Sequence, residues 1–428
     1  MLAAAPVLAQ PVTNPNASTS LQQEQQQVQA AGQGMFTRDR NVSVSQRPHP
    51  GYDPNPVQLG GFTALPKLDA GVEFNDNIYA VNTGKKSDTI WTVNPEVDIQ
   101  SNWSRNALQA FVRSATREYS KYSSETTTDY QVGAAGRLDA GEAKLSAGGD
   151  TGEMTEPRTS PSTTSGNTHP VRYQQTDGFF SAVQELNRVR LTGRIDIANL
   201  DYTNGVDPAG HSVLEDDRDR TDYVYSGKAE YAISPDTAVY LNAAYNDHQY
   251  RLTPPTVALN KSSHGETVSG GANFDLTNTI RGDIQVGWMQ QQFAANVLRT
   301  YSGFSALASV EWFPTQLTTV TLTGSRQVQD SATATSAIYI ASGVGGQIDH
   351  ELLRNLILTG RVGYEDDAYQ GVSRDDKSTN AYVGARYLVN RLVGVTLGYT
   401  YANNSSSGSA KGPAYTVNRI MASLNLRF

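Results

Sequence analysis

Cysteine is missing from all 428 residues, which excludes disulfides and thiolate metal sites and fits passage through an oxidising periplasm. No stretch approaches the ~18 to 20 consecutive apolar residues that a spanning helix needs, and mean hydropathy is -0.46. Membrane residence is therefore open to this chain only as a closed barrel. Basic residues do not predominate: the net charge of -8 argues against a nucleic-acid partner. Gly-x-Ser-x-Gly, His-Glu-x-x-His and P-loop patterns are also missing, so no catalytic residue, cofactor or metal ligand is assigned.

What is plentiful is Gly (37) and Tyr (22), with Ser and Thr, a mixture suited to many half-polar strands and turns. The opening MLAAAPVLAQP reads as the back half of a secretory signal with cleavage between Ala9 and Gln10, so residues 1–9 are taken as a signal-peptide remnant. Residues 10–60, rich in Gln, Asn, Pro and Gly, are expected to form a flexible, disordered periplasmic segment, with room for a short helix around Leu21 to Ala31. From Gly61 onward the pattern is one of strands.

In residues 381–401, Ala381, Val383, Ala385 and Tyr387 alternate with Tyr382, Gly384 and Arg386. After a turn at Val389 to Leu392, Val393, Val395, Leu397, Tyr399 and Tyr401 alternate with Gly394, Thr396, Gly398 and Thr400. Period two with one apolar face is the mark of a hairpin. Residues 188–197, 279–288 and 355–364 repeat the rule. So does the final stretch, where Ile420, Ala422, Leu424, Leu426 and Phe428 alternate with Arg419, Met421, Ser423, Asn425 and Arg427. As an open edge, such a strand invites aggregation; closing it against the first strand removes the edge. Ile420, Leu424, Leu426 and Phe428 are thus read as an assembly signal.

Connections alternate in length as well. Short turns near 101–106, 138–143, 185–188, 234–237, 276–279, 313–316, 350–355 and 389–392 are interleaved with longer polar stretches. Short on one side and long on the other is the layout of a transmembrane barrel with periplasmic turns and extracellular loops. The chain is therefore expected to be all-β: a transmembrane antiparallel up-and-down β-barrel over residues 61–428. The count is about 18 strands, with about 16 as the alternative, from near Lys67 to Phe428.

Residues 51–109 resemble the β-barrel porin-2 (OmpL-like) outer-membrane family. The matching features are Gly51-Tyr52-Asp53-Pro54, Gly61 to Pro66, Asp76-Asn77-Ile78-Tyr79, Ser87-Asp88, Pro95 and Ser101 to Arg105, with DHELLRN and YLVNRLVG in similar style later. The resemblance extends over residues 47–428. It implies an outer-membrane barrel of bacteria, with some relatives near exopolysaccharide genes, and carries over no catalytic residues. Asp76, Asn77 and Asp88 are read as a pore or loop-anchoring cluster, or as turn residues satisfying their own backbone.

If the apolar alternates face lipid, the others face the lumen. The pore-lining candidates are Arg113, Arg117, Arg137, Arg190, Arg194, Lys228, Arg281, Asp283, Arg361 and Arg386, opposed by Asp139, Asp196, Glu230, Glu311 and Glu365. Cations exceed acids there, which favours anionic solutes, unless cross-strand pairing, with Arg194–Asp196 and Arg281–Asp283 as neighbours, merely braces the wall. Acid collects instead in the loops, at 215–220, 364–367 and 374–376, where it either binds hard cations or is solvated. His211, His248 and His264 fall near extracellular ends, close to Asp216, Asp217 and Asp247. A rim hydrolase would bring such a histidine within hydrogen-bond reach of a carboxylate or Ser. Three functions compete: a channel for small solutes or exported polysaccharide, a structural or adhesive barrel acting through its loops, and that hydrolase. Expected partners are outer-membrane lipid and lipopolysaccharide, the barrel-assembly machinery and polysaccharide export components.

Overall fold

The structure, a computed structural model, describes residues 42–162, 166–276, 279–333 and 336–428. Residues 1–9, Gln10 to Asn41 and the helix considered at 21–31 lie outside the described residues. The described residues form eighteen long antiparallel strands. These are β1 (Phe62–Asn75), β2 (Asp88–Ser101), β3 (Ala107–Tyr119), β4 (Thr127–Ala140), β5 (Ala143–Thr155) and β6 (Arg172–Leu186). Next come β7 (Val189–Tyr202), β8 (Arg220–Ser234), β9 (Thr237–Tyr250), β10 (Ser263–Leu276), β11 (Ile280–Phe293) and β12 (Tyr301–Thr315). The last are β13 (Thr318–Asp330), β14 (Ile338–Leu353), β15 (Leu356–Tyr369), β16 (Asp375–Leu388), β17 (Val393–Ser407) and β18 (Tyr415–Arg427).

Each strand pairs with the next in sequence, and β18 pairs with β1 from Lys67↔Arg427 to Asn75↔Arg419. The Phe428 amide donates to the Pro66 carbonyl at 3.1 Å and extends that seam. The sheet is thus closed on itself through the pairing of its last strand with its first. The first strand starts at Phe62, ahead of the expected Lys67. Pro66 explains the difference: proline has no N–H and reads as a strand breaker, yet here it lies within the ladder opposite Val97.

The side-chain alternation follows the sequence pattern. On β7, Leu191, Ile195 and Ile197 are exposed, while Arg194 and Leu200, of opposite parity, are buried. Leu241, Val344, Leu397 and Ile420 are likewise exposed on the outer face. In a closed barrel that outer apolar belt is the surface that lipid covers. Tight turns such as 141–142 and 187–188 close the hairpins at one end, helped by Gly141 (φ 71) and Asn187 (φ 53), the left-handed conformations such turns require. At the other end the connections are longer, reaching 156–171 and 203–219.

Of the segment expected to be flexible, residues 42–60 lie against the barrel. Val44 is fully buried with Ile357, Leu388 and Tyr52, and its amide donates to Thr319 Oγ1 at 3.0 Å. Arg47 pairs with Glu351 at 3.1 Å. Ile357, Leu388 and Glu351 belong to the inner face near the short turns, so this segment occupies part of the periplasmic mouth.

Candidate functional site: the lumen and its extracellular constriction

Every pore-lining candidate sits on the strand face opposite the exposed apolar residues, and the structure gives most of the cations a partner. Arg117 pairs with Glu73 (2.9 Å), Arg137 with Asp139 (2.8 Å) and Lys228 with Glu230 (3.1 Å). Arg190 stands 3.8 Å from Glu230, and Arg194 holds Asp196 as expected. Arg281 departs from expectation. Its partner is Glu311, directly opposite on β12, while Asp283 accepts the Tyr240 hydroxyl. Arg113 and Arg361 donate to the amide oxygens of Gln131 (2.8 Å) and Gln347 (2.9 Å).

Arg386 behaves differently, together with two residues the charge reading left out, Arg419 and Arg427. None of the three makes a hydrogen bond or ion pair with a carboxylate among the described residues, and the Nε of each is buried without a partner. The nearest acids act on them only at longer range, Asp69 and Asp53 on Arg386 and Arg427 and Glu73 on Arg419, while hydrogen-bonding to Asn425 (2.6 Å), the His49 amide (2.7 Å) and Arg117 (2.9 Å). In the sequence Arg419 and Arg427 belong to the polar face of the last strand, alternating with Ile420, Leu424 and Leu426.

Two elements cross the extracellular half of the lumen. The first is the described part of the loop between β5 and β6, residues 156–162 and 166–171. Its Thr159 carbonyl accepts from the Tyr415 hydroxyl at 2.8 Å, and its Pro161 carbonyl from Arg374 at 3.4 Å. Tyr415 begins β18, five strands away from β5, roughly 24 Å along the wall. The base of the loop is fixed by ions: Arg158 grips buried Glu125 (2.7 Å), and Glu156 receives both Nη atoms of Arg218. Arg218, in a single helical turn at Asp216–Arg218, also bonds Glu215 at 3.0 Å. Burial opposes its charge, but Glu156, Tyr202 and Glu215 outweigh that and hold its pKa above the ordinary value.

The second element is the tip of the β13–β14 hairpin. Asp330, at its end, lies 3.3 Å from Arg220 and 3.6 Å from His248 on β8 and β9. Arg220 also bonds Asp222 (3.0 Å), which takes the His248 Nδ1 at 2.6 Å. Between the loop and the tip lies a cavity of about 40 Å³, lined by Glu156, Ser160, Arg218, Arg220, Asp330 and Ser331. That is room for a few water molecules. Lys261 closes the rim, donating to Asp217 at 3.3 Å and to the Ala332 carbonyl at 3.5 Å. Burial pushes its ammonium below the usual lysine range, with Asp217 offsetting part of the effect.

The acidic loop 215–220 is engaged by the chain's own groups: Glu215 by Arg218, Asp216 by Asn204, Asp217 by Lys261 and Asp219 by the Tyr202 amide and Arg251. Among the described residues, the arrangement of acids and histidine close enough to share a metal is Asp222, His248 and Asp330. The Arg220 guanidinium already stands among these three, so the donor set does not fit a metal ion. His248 also satisfies the hydrogen-bond test set for a hydrolase, yet its partner is Asp222 and not the adjacent Asp247. Arg220 shares that carboxylate. His211 pairs with Asp207 in an exposed loop, and His264 lies tilted against Tyr245 on the outer face. Asp76, Asn77 and Asp88 anchor loops: Asp88 takes the Thr89, Lys121 and Tyr122 amides, Asn77 caps Val81, and Asp76 takes Asn418.

A closed barrel with a lipid-compatible belt, a charged lumen and inward-folded loops is the fold of an outer-membrane porin-like channel. The family model of Putative beta-barrel porin 2 matches residues 49–428, and the chain belongs to that family. Family and fold place it in the bacterial outer membrane and point to a channel rather than an enzyme. Among solved structures it is similar to Acinetobacter baumannii OccAB3 (11% identity, TM-score 0.47, covering 86% of this chain and 100% of that one). Pseudomonas aeruginosa OccK2 in complex with glucuronate is similar at 13% identity and TM-score 0.47, over 86% and 98% of the two chains. Pseudomonas aeruginosa OpdK with vanillate follows at 13% and 0.47, over 85% and 99%. No curated protein matches the chain.

Proposed function

We propose that the chain is an outer-membrane channel that conducts small solutes with a preference for anions. The observation that carries this reading is the set Arg386, Arg419 and Arg427. Their Nε atoms are buried without a partner among the described residues, whereas Arg117, Arg194 and Arg281 are held by acids. Arg427 lies near the short-turn end of β18, Arg386 likewise on β16, and Arg419 toward the long-loop end. Together they line one side of the lumen, where low-dielectric walls strengthen an unpaired charge. Paired arginines add little to that field.

Small solutes suit this lumen better than an exported polysaccharide, which would have to thread past both the loop 156–171 and the β13–β14 tip. Those two elements fold inward, which also favours conduction over adhesion through outward loops. Swelling of proteoliposomes in isosmotic solutions tests the reading. Expected is fastest swelling with a small organic anion, slower with a neutral sugar of similar size and slowest with a cation. Rates equal to those of empty liposomes would remove the channel reading; a faster cation would remove the anion preference alone.

A further inference from the structure

Strands β12 and β13 pair from Thr315↔Thr318 up to Ala306↔Arg326 and no further. Both strands continue, to Tyr301 and Asp330. The same register would pair Ser305 with Gln327, Phe304 with Val328, Gly303 with Gln329 and Ser302 with Asp330. These four rungs are not made, although β13 stays paired with β14 to its last residue and β11 with β12 up to Tyr301. The wall is open there on one seam.

The upper ends on either side overlap like shingles. Val328, Ile340 and Ala368 have the parity of exposed Leu322, Val344 and Val362, so they belong to the outer face. Met289 and Tyr301 have the parity of Arg281 and Glu311 and belong to the inner face. Nevertheless Met289, Ile338 and Ile340 form one buried apolar cluster with Phe293, Leu298, Tyr301, Val328 and Ala368. An outer face packs on a neighbouring inner face only if the β13–β14 tip leans into the lumen. The reach of Asp330 to Arg220 and His248, five and four strands around the wall from β13, gives the same displacement independently.

The tip is thereby held in one of two arrangements that the same residues can satisfy. Leaning in, it gives up four ladder rungs and gains the apolar cluster and the Asp330 contact. Upright, it regains the rungs and completes the wall. The inner contact is the weaker part: Arg220 and His248 lie closer to Asp222 (3.0 and 2.6 Å) than to Asp330 (3.3 and 3.6 Å), and Asp330 Oδ2 makes no hydrogen bond. We infer that the β13–β14 tip is a gate, leaning into the lumen as seen here, that opens by leaving Arg220 and His248 and zipping its edge onto β12. Packed elements with two discrete arrangements of similar free energy are the usual hardware of such switches.

The chain has no cysteine, so paired cysteines report the upright state cleanly. In Phe304→Cys/Val328→Cys, the two positions become direct neighbours only when the seam is zipped. Oxidation should cross-link them and raise single-channel conductance severalfold, and a reductant should restore the original level, which shows that the barrel itself is intact. Asp330→Asn, with no cross-link, should raise the open fraction. Failure of the two cysteines to cross-link while each single cysteine reacts with maleimide would overturn the gate, as would a cross-link that leaves conductance unchanged. The readout is conductance and not ion preference, so the gate and the anion reading stand or fall separately.

Discussion

Arg218 lies across the Glu156 carboxylate with both Nη atoms, at 3.0 and 2.9 Å, and so ties the loop 203–219 to the loop that crosses the lumen. Its remaining bond goes to Glu215, which also accepts from Asn167. All three charged groups are buried, Glu215 completely.

Arg218→Met should therefore cost more than a surface pair would. Removing the cation strands two buried carboxylates, a change worth about 3 to 5 kcal/mol in buried triads. Because the barrel wall is untouched, the loss should be local. Limited proteolysis should cut within residues 156–171 in the variant and leave heat-modifiable gel mobility unchanged. Equal protection of the loop in both proteins would show that its position does not depend on Arg218.

The lipid face offers a second check. Leu397 is 56% exposed on the outer side of β17, whereas Thr396 points inward and donates to Asn425 Oδ1 at 2.8 Å. Leu397→Arg should cost ~2 to 4 kcal/mol near the midplane, while Thr396→Arg should cost far less. Urea titrations in lipid separate them; coincident midpoints would reverse the face assignment.

A third concerns the seam. Phe428 continues the β18–β1 ladder through its amide bond to Pro66, and its ring is half exposed on the outer side. Deleting it should lower the amount of folded, inserted barrel without altering the conductance of the molecules that do insert. Equal yields of heat-modifiable protein would remove this residue from assembly.

Which of these features a reader of the sequence can find follows from what alternation encodes. Period two fixes the face of each side chain, so the outer belt, the inward arginines and the closed barrel were legible. Partners are set by register, which chain proximity does not report. Asp196 is a true neighbour of Arg194, but the same two-residue spacing misassigned Arg281, whose acid is Glu311 across the ladder. Likewise His248 lies next to Asp247 in the chain and opposite Asp222 in the sheet. Least legible was the lean of β13: its residues alternate regularly up to Asp330, and the unmade rungs to β12, the cluster around Met289 and the contact with Arg220 lie outside what alternation encodes.

The preference for anions is tested most directly by reversal potentials across a planar bilayer under a KCl gradient, for the wild type and for Arg386→Gln/Arg419→Gln/Arg427→Gln. Expected is an anion-selective wild type whose reversal potential moves toward zero in the triple variant, with a smaller shift for Arg281→Gln/Glu311→Gln, which removes a cation together with its acid. A cation-selective wild type, or a triple variant that reverses at the same potential, would contradict it.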